Sequence, residues 1–333
     1  MTDLADRTMR AVRHTRYGPP DVLHVVELPV RRPGPGEVLV RVRAAEATKS
    51  DCELRAFRFP VSWFWLPLRL ALGISRPRRQ VLGAYFAGEV VATGPGVEAF
   101  AAGDRVFGST GLRLGAYGEY LVLPATSSMA RMPSTMDFAQ AAAVPLGGLN
   151  ALHFMRLAAV RTGERVLIHG AGGSIGAHAV QIARSMGGRV TAVDHPSKEA
   201  FLRGLGAADF IDYTREDFAA AGRRYDVILS MVASVSYLAC LRSLAPGGRF
   251  LTANPRLSLM LLAPLLRRWT GRKVVLAFAG ETVEALQALG RMIDEGQIVP
   301  IVDRVLPMEQ AAEAHRLVEA EQRLGAVVLQ IGA

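Results

Sequence analysis

A glycine-rich run near the middle of the chain has the residue types that bind a dinucleotide. Residues 166–169 read as a buried apolar strand, Gly170, Gly173 and Gly176 follow at three-residue spacing, and an apolar helical pattern begins directly afterwards. Glycines at such a turn let the backbone reverse sharply, bring amide N–H groups up to a pyrophosphate and let the helix pack on the strand. The run therefore predicts a dinucleotide cradle, with a glycine turn in another kind of α/β unit as the alternative.

The next strand of the same unit supports this prediction. Residues 189–193 form an apolar run that ends at Asp194, 18 residues after Gly176. An acidic residue at about this spacing accepts a hydrogen bond from a ribose 2′-hydroxyl. Because turn, strand and acid stand in the correct order, we predict nucleotide contacts from Gly170, Gly172, Gly173, Ser174, Ile175, Gly176 and Asp194.

The elements that must position this turn predict two domains. A chain of 333 residues exceeds the size at which one hydrophobic core normally stops growing. Before residue 137, short strand-like runs at 9–12, 23–27, 38–44 and 88–93 alternate with Gly/Pro turns, which implies a β domain. Beyond it, helices and strands alternate as in right-handed βαβ units. We predict an α/β fold: a doubly wound parallel sheet plus a β domain, with helices at 283–295 and 308–319 and a last strand at 326–331.

Composition limits the possible partners. With 50% hydrophobic and 21% charged residues the chain is not disordered, and its net charge of +9 favours anionic partners in general. No motif that interleaves aromatic and basic residues stands out, so specific nucleic-acid binding is not expected. Cys52 and Cys240 are too few for a disulfide framework, and residues 1–8 lack the apolar core of a secretory signal. We therefore expect a cytoplasmic protein.

Two apolar stretches raise the question of a membrane. Residues 60–74 and 257–266 are both shorter than the roughly 20 residues needed to span a bilayer. Arginines follow each stretch, so an amphipathic element in peripheral contact with a membrane surface remains open. The interpretation we prefer is an apolar wall over a substrate site or a contact between subunits, and we expect a homodimer.

Short motifs that could belong to one family are spread over nearly the whole chain. They are Pro33-Gly34-Pro35-Gly36-Glu37, Gly103-Asp104-Arg105-Val106, Gly115-Ala116-Tyr117-Gly118-Glu119, Ala142-Ala143-Val144-Pro145 and Leu205-Gly206-Ala207. Together they resemble the medium-chain dehydrogenase/reductase superfamily, and the segment 51–67 is similar to its zinc-free, quinone-reductase-like members. The resemblance implies a GroES-like substrate domain at residues 1–128, a Rossmann domain at 129–272, and a return segment, 273–333, that completes the substrate domain.

The resemblance also bears on zinc. Zinc-dependent relatives hold a catalytic metal with cysteine and histidine ligands. Here those positions fall on Thr48 and on Ala84-Tyr85, and no cysteine of a structural zinc lobe follows Val106. Without a Lewis acid, hydride delivery to a quinone or a polarised alkene is favoured over alcohol oxidation, because it needs only hydrogen-bond assistance.

Thr48 and Tyr85 are therefore the candidate electrophilic donors, although quinone-reductase-like relatives usually carry an asparagine and an acid at these positions. Each residue also has a purely structural interpretation. Tyr85 can be a packed core aromatic, and Thr48 can be a hydroxyl that is satisfied by the backbone.

Nucleotide preference is mixed. Asp194 favours NADH, because it bonds the 2′-hydroxyl and repels a 2′-phosphate. Lys198 matches a lysine that quinone-reductase relatives use near that phosphate, and Tyr213 matches their adenine-side tyrosine. The resemblance places Asn150 beside the nicotinamide. We expect NADPH or NADH, leaning to an NADPH-capable site without zinc.

The leading hypothesis is an NAD(P)H-dependent reductase of small apolar quinones or α,β-unsaturated carbonyls. One alternative is a nucleotide-binding interaction or membrane-surface protein with little turnover. A second is an enoyl-thioester reductase, which is weakened because Phe59 stands where mitochondrial-type enoyl reductases carry a tyrosine proton donor.

Overall fold

The computed structural model describes residues 7–59, 65–220, 222–252, 272–276 and 280–332. Its strands are β1 (Thr8–Arg13), β2 (His24–Pro29), β3 (Glu37–Ala47), β4 (Tyr85–Thr93), β5 (Arg105–Ser109), β6 (Tyr120–Pro124), β7 (Met129–Arg131), β8 (Arg165–His169), β9 (Arg189–Asp194), β10 (Asp209–Asp212), β11 (Tyr225–Ser230), β12 (Leu244–Thr252), β13 (Lys273–Leu276), β14 (Val302–Pro307) and β15 (Ala326–Gln330). Its helices are α1 (Lys49–Ala56), α2 (Trp65–Leu72), α3 (Phe138–Ala142), α4 (Val144–Ala158), α5 (Ser174–Ser185), α6 (Glu199–Gly204), α7 (Tyr237–Arg242), α8 (Val283–Asp294) and α9 (Ala311–Glu319).

Two compact units divide the chain. The first contains residues 1–146, 281–294 and 300–333, and the second contains residues 147–280 and 295–299. The predicted boundaries at 128/129 and 272/273 differ from this division for a reason visible in the strand pairing. β7 pairs with β5 of the first unit, which keeps the chain there beyond residue 128. β13 pairs with β12, which places it in the second unit rather than in the return segment.

The first unit is built on a mostly antiparallel sheet with the strand order β14-β15-β3-β4-β5-β7, and β6 also pairs with β3. β3 is the central strand because its alternate side chains Val38, Val40 and Val42 are buried in the main core of this unit. α9 packs on β15 and on α1, and α1 follows directly after β3. The two ends of the chain thus complete one core.

The second unit contains a parallel six-stranded sheet in the order β10-β9-β8-β11-β12-β13. Val166, Leu167 and Ile168 of β8 are all fully buried, as expected for a strand covered on both faces. This order is the doubly wound order in which the first strand lies at the point where the winding reverses, and that point is where such folds bind nucleotides. The predicted fold class is confirmed.

The apolar stretches are only partly covered by these ranges. Residues 60–64 and the whole segment 257–266 lie outside the described residues, whereas residues 65–72 form α2. Within the described ranges, no helix has the length and apolar character needed to cross a membrane.

Candidate functional site

The glycine turn lies between β8 and α5 of the second unit. Gly170 has a φ of +81°, a conformation that favours glycine, and its amide donates to the Val193 carbonyl at 3.0 Å. This bond ties the start of the turn to β9. Gly173 is the N-cap of α5, and as a glycine it offers no side chain to the first amides of the helix. The turn therefore presents backbone donors and the positive end of a helix dipole, which is what a pyrophosphate needs.

Gly173 and Gly176 meet different surroundings. A Cβ atom on Gly176 would run into the Gly170 carbonyl and the backbone of Ala171, so this glycine permits close packing of the helix on the turn. A Cβ atom on Gly173 would meet no other side chain or backbone atom of the described residues within 4 Å. These residues thus leave space directly above the helix N-terminus, and they fit a dinucleotide there.

Asp194, at the end of β9, is buried and holds the turn in place. One of its carboxylate oxygens accepts the Gly172 amide at 2.7 Å, and the other accepts the His195 amide at 2.8 Å. Lys198 lies in a 3-10 turn that begins at Pro196, with its ammonium group 3.4 Å from the Asp194 carboxylate. The predicted ribose acceptor is therefore already partly neutralised by the residue predicted to bind a 2′-phosphate.

Lys198 and Tyr213 differ in their exposure near Asp194: Lys198 is buried, whereas Tyr213 is exposed. The Lys198 side chain is buried and passes so close to Gly172 that a Cβ on that glycine would overlap it. Tyr213 follows β10, its side chain is 55% exposed, and its ring centre lies 6.3 Å from that of His195. An exposed ring at the carboxyl edge of the sheet is suited to stack on a base.

The start of α4 packs closely against α5. A Cβ on Gly147 would overlap His178 and Ser174, and Asn150 lies one helical turn further along α4. The Ser174 hydroxyl is buried and has no hydrogen-bond partner among the described residues. Burial lowers the pKa of His178, whose Nδ1 lies 2.8 Å from the Ser174 carbonyl oxygen. A buried hydroxyl without a partner at a helix N-terminus fits the binding of a polar ligand.

Thr48 of the first unit is the N-cap of α1. Its hydroxyl donates to Asp51 at 2.6 Å and accepts the Asp51 amide at 3.1 Å, while the Thr48 amide donates to the same carboxylate at 3.0 Å. The other carboxylate oxygen accepts the Gly83 amide at 2.9 Å. Burial raises the pKa of Asp51, although these hydrogen bonds oppose the rise. The Thr48 proton is thus directed at a capping box rather than at open space.

Tyr85 belongs to a separate hydroxyl and carboxylate cluster of the first unit. Its hydroxyl donates to Glu281 at 2.6 Å, and the Ser109 hydroxyl donates to the other Glu281 oxygen at 2.6 Å. Tyr85 and Ser109 are register partners on β4 and β5, so their side chains share one face of the sheet. Burial raises the pKa of Tyr85, and the charge of Glu281 adds to the rise. We call Tyr85, Ser109 and Glu281 the hydroxyl–carboxylate cluster.

Sequence analysis did not identify Glu281 or Ser109. Glu281 lies 196 residues from Tyr85 along the chain. Its only local signal is that it precedes Thr282, whose hydroxyl accepts the Ala285 amide at 3.2 Å and caps α8. That cap fixes Glu281 at the start of a helix.

The sulfur and metal chemistry of the described residues is limited. Cys52 is buried, and burial raises its pKa to about 12, so it is not an activated nucleophile. Within the ranges that the structure describes, no group of three or more His, Cys, Asp or Glu side chains is arranged to hold a metal ion. The described residues therefore do not fit a zinc site.

Two family profiles of known proteins match parts of this chain. Residues 34–134 match the family profile of the alcohol dehydrogenase GroES-like domain, and residues 205–329 match that of the zinc-binding dehydrogenase. A quinone oxidoreductase of Pseudomonas aeruginosa is 31% identical over 338 residues, which cover 96% of this chain and 99% of that protein.

Two further similarities are informative. The solved structure of the quinone oxidoreductase from Coxiella burnetii superposes with a TM-score of 0.87 at 27% identity, covering 98% of this chain and 100% of that one. The spectinabilin polyketide synthase system protein NorB of Streptomyces orinoci is 33% identical over 307 residues, which cover 89% of this chain but 13% of that protein.

A GroES-like unit joined to a nucleotide-binding parallel sheet defines a medium-chain dehydrogenase/reductase. Within that superfamily the chain belongs to the quinone oxidoreductase-like family, as the predicted resemblance implied. It is an NAD(P)H-dependent oxidoreductase.

Proposed function

We propose that this enzyme is a zinc-independent reductase of quinones or α,β-unsaturated carbonyl compounds. The observation that carries the proposal is the environment of Tyr85. At the position where zinc-dependent relatives carry a metal ligand, this chain has a buried phenol whose hydroxyl is hydrogen-bonded to a carboxylate. A hydrogen-bond donor of this kind is sufficient to stabilise an oxyanion that develops when hydride is added to a conjugated carbonyl.

The second unit supplies the nucleotide contacts in this proposal. Bound NAD(P)H supplies the hydride. The turn from Gly170 to Gly176 holds the pyrophosphate, Asp194 and Lys198 face the 2′ position of the ribose, and Tyr213 covers the adenine. The open space above Gly173 supports this assignment. We assign Asn150 to the nicotinamide end on the basis of the family resemblance.

Tyr85 is the principal donor to the substrate carbonyl in this proposal, and Thr48 is the second candidate. The Thr48 hydroxyl closes the capping box of α1 with the buried Asp51. If the Thr48 hydroxyl donated to a substrate instead of to Asp51, the helix cap would lose one of its hydrogen bonds. The partner of Tyr85 is the half-buried Glu281, whose hydrogen bonds to the described residues include no helix cap, so the phenol is the less costly donor.

For the nucleotide we propose an NADPH-capable site. The Lys198 ammonium lies 3.4 Å from the Asp194 carboxylate and offsets the repulsion that this acid exerts on a 2′-phosphate. The same pair leaves Asp194 able to accept from a 2′-hydroxyl, so NADH is expected to bind as well.

A steady-state screen of NADPH and NADH oxidation tests the proposal. Benzoquinones, naphthoquinones and simple enones are offered as substrates, with primary alcohols plus NADP⁺ as the zinc-type comparison. Turnover of quinones or enones with no response to chelators supports the proposal. If alcohols are oxidised and chelators abolish the activity, the proposal is overturned.

The remaining alternatives are separated in the same screen. Tight nucleotide binding without turnover of any substrate, together with binding to anionic liposomes, identifies a nucleotide-binding interaction or membrane-surface protein instead. The similarity to a polyketide synthase protein favours an unsaturated thioester as a second candidate substrate, so a crotonyl thioester is included. A preference for the thioester over every free enone and quinone identifies an enoyl-thioester reductase.

A further inference from the structure

Helix α2 of the first unit packs its charged residue inward and leaves apolar residues outward. The guanidinium carbon of Arg69 lies 4.1 Å from the ring centre of Phe57 and 4.7 Å from that of Tyr17, which is within cation–π distance. The exposed residues of the helix are Pro67, Leu70 and Ala71. A surface helix normally has the opposite arrangement, with its apolar side chains toward the core. The packing of α2 therefore presents apolar side chains to the surroundings of the chain.

These exposed residues form one continuous surface. The helical members are spaced i, i+3 and i+4, so they lie on one face of α2. Leu70 is 53% exposed, and Ile74, two residues beyond the helix end, is 64% exposed. We call Pro67, Leu70, Ala71 and Ile74 the apolar face.

The end of α2 is fixed on the rest of the first unit. The Tyr17 hydroxyl donates to the Leu72 carbonyl at 3.0 Å and lies 2.9 Å from the carbonyl oxygen of Gly73. The Arg78 amide donates to the same Leu72 carbonyl at 2.8 Å. These bonds hold the segment 76–79 against the end of the helix. Together with the cation–π contacts, they keep the apolar face outward.

The chain beside the apolar face carries only positive charge. Arg76, Arg78 and Arg79 are all exposed. In the sequence, no acidic residue stands between Glu53 and Glu89, whereas this stretch contains six arginines. Exposed cations next to an apolar face attract an anionic surface.

The two features together distinguish between possible partners. A two-fold contact with a second copy would bring the same arginines face to face, and like charges across an interface oppose association. The phosphates of a nucleic acid would pair with the arginines but give the aliphatic side chains no apolar partner. An anionic lipid surface offers both headgroup phosphates and acyl chains.

We propose that the apolar face, together with Arg76, Arg78 and Arg79, is a docking surface for anionic lipid bilayers. The apolar face enters the boundary between headgroups and acyl chains, and the arginines contact the headgroups. A helix of eight residues is only about 12 Å long, so its apolar contact needs the added charge to hold the chain. Binding is therefore reversible and weakened by salt. This inference does not depend on the proposed function.

Co-sedimentation of the full chain with lipid vesicles tests the contribution of charge. The vesicles consist of phosphatidylcholine alone or of phosphatidylcholine mixed with phosphatidylserine. The charge variant is Arg76→Gln/Arg78→Gln/Arg79→Gln. Its control loses the same three charges at exposed arginines of the second unit and is Arg156→Gln/Arg161→Gln/Arg184→Gln.

A second pair of variants tests the apolar contact. The apolar variant is Leu70→Gln/Ile74→Gln, and its control is Leu157→Gln/Val299→Gln, at two exposed aliphatic residues of the second unit. Thermal unfolding and NADPH affinity are measured for every variant. Both should match wild type, because all the substituted side chains are exposed.

We expect wild type to bind the vesicles that contain phosphatidylserine, to release them as salt rises, and not to bind phosphatidylcholine alone. The charge variant should bind about 100-fold more weakly, because each arginine near an anionic surface contributes a factor of about five. The apolar variant should bind about 10- to 100-fold more weakly, because two partly exposed aliphatic side chains no longer leave water on docking. Each control should lose far less than its matched variant.

Several results overturn the inference. Wild type that does not bind phosphatidylserine vesicles, or whose binding does not fall at raised salt, refutes it without recourse to any variant. Equal weakening by the charge variant and its control identifies a general attraction of a basic chain instead. If the apolar variant binds vesicles as wild type does, the apolar face takes no part, and conversion of a dimer to a monomer by this variant would identify a contact between copies.

The outcome is separable from that of the proposed function, because none of these measurements needs turnover. A chain that reduces no quinone or enone can still dock on vesicles as proposed. An active reductase that does not bind vesicles refutes the docking surface alone.

Discussion

The paired charges at the end of β9 provide the sharpest test of nucleotide preference. Asp194→Ser removes the charge that repels a 2′-phosphate, and Lys198→Ala removes the charge that attracts it. The two side chains lie 3.4 Å apart and are only 10% and 8% exposed. At an effective dielectric constant of about 20, two unit charges at that distance attract by about 5 kcal/mol, which is an upper limit because desolvation opposes it.

The effect on nucleotide preference is smaller, because a bound phosphate remains partly solvated. We expect each variant to change the ratio of NADPH to NADH affinity by about 1 to 2 kcal/mol, a factor of about 5 to 30, in opposite directions. Asp194→Ser also removes the acceptor of the Gly172 amide, so affinity for both nucleotides should fall and only their ratio is diagnostic. Because the residues touch, the double variant should depart from additivity.

The assay is calorimetric binding of NADPH and NADH to each variant at two salt concentrations, since screening weakens both effects as salt rises. Asp209→Ser is the control, because Asp209 begins the neighbouring strand and pairs with the exposed Arg189. If neither Asp194→Ser nor Lys198→Ala alters the affinity ratio beyond this control, the residues do not read the ribose and the reasoning is refuted.

Three further outcomes are expected. Gly173→Val should abolish nucleotide binding and leave thermal stability close to wild type. Gly204→Val, at a similarly open glycine, should bind the nucleotide normally. If calorimetry finds unchanged nucleotide affinity for Gly173→Val, the dinucleotide cradle is contradicted. Thr48→Val should lower the free energy of unfolding in urea by about 1 to 2 kcal/mol because it removes a capping box. Thr48→Ser keeps a capping hydroxyl and should retain most of the wild-type stability. If wild type and both variants are equally stable, the capping role is refuted. Elemental analysis of the purified protein should find no stoichiometric zinc and chelators should leave activity unchanged, while about one tightly held zinc per chain rules out the zinc-free proposal.

The regular parts of the fold could be predicted from the sequence. The apolar strand runs that became β8 and β9 are buried on both faces, so their pattern is continuous and flanked by clear turn signals. β5 and β14 were not predicted. β5 contains Gly108 within five residues, and β14 is largely exposed, so neither shows a clean alternation.

The site was less predictable where its contacts are distant in sequence. The glycine turn is local, and the helix cap at Thr48 needs only the residues up to Asp51. The contact of Tyr85 with Glu281 depends instead on where the chain returns to the first unit, which no periodicity encodes. The pairing of Lys198 with Asp194 was also unforeseen, because a 3-10 turn rather than a continuous helix brings them together.

The way the first unit is assembled has a consequence for the order in which the protein folds. β15 lies between β14 and β3, so this sheet cannot close during synthesis until residues 326–330 have left the ribosome. Among the residues that the structure describes, the strands of the second unit lie between residues 165 and 276 and pair with one another in parallel. The nucleotide-binding unit is thus expected to fold first. Until β15 is available, the edge of β3 that pairs with it stays unpaired and is prone to aggregation. Substitutions that weaken β15 should therefore reduce soluble yield in cells more than their effect on the purified protein's stability would indicate.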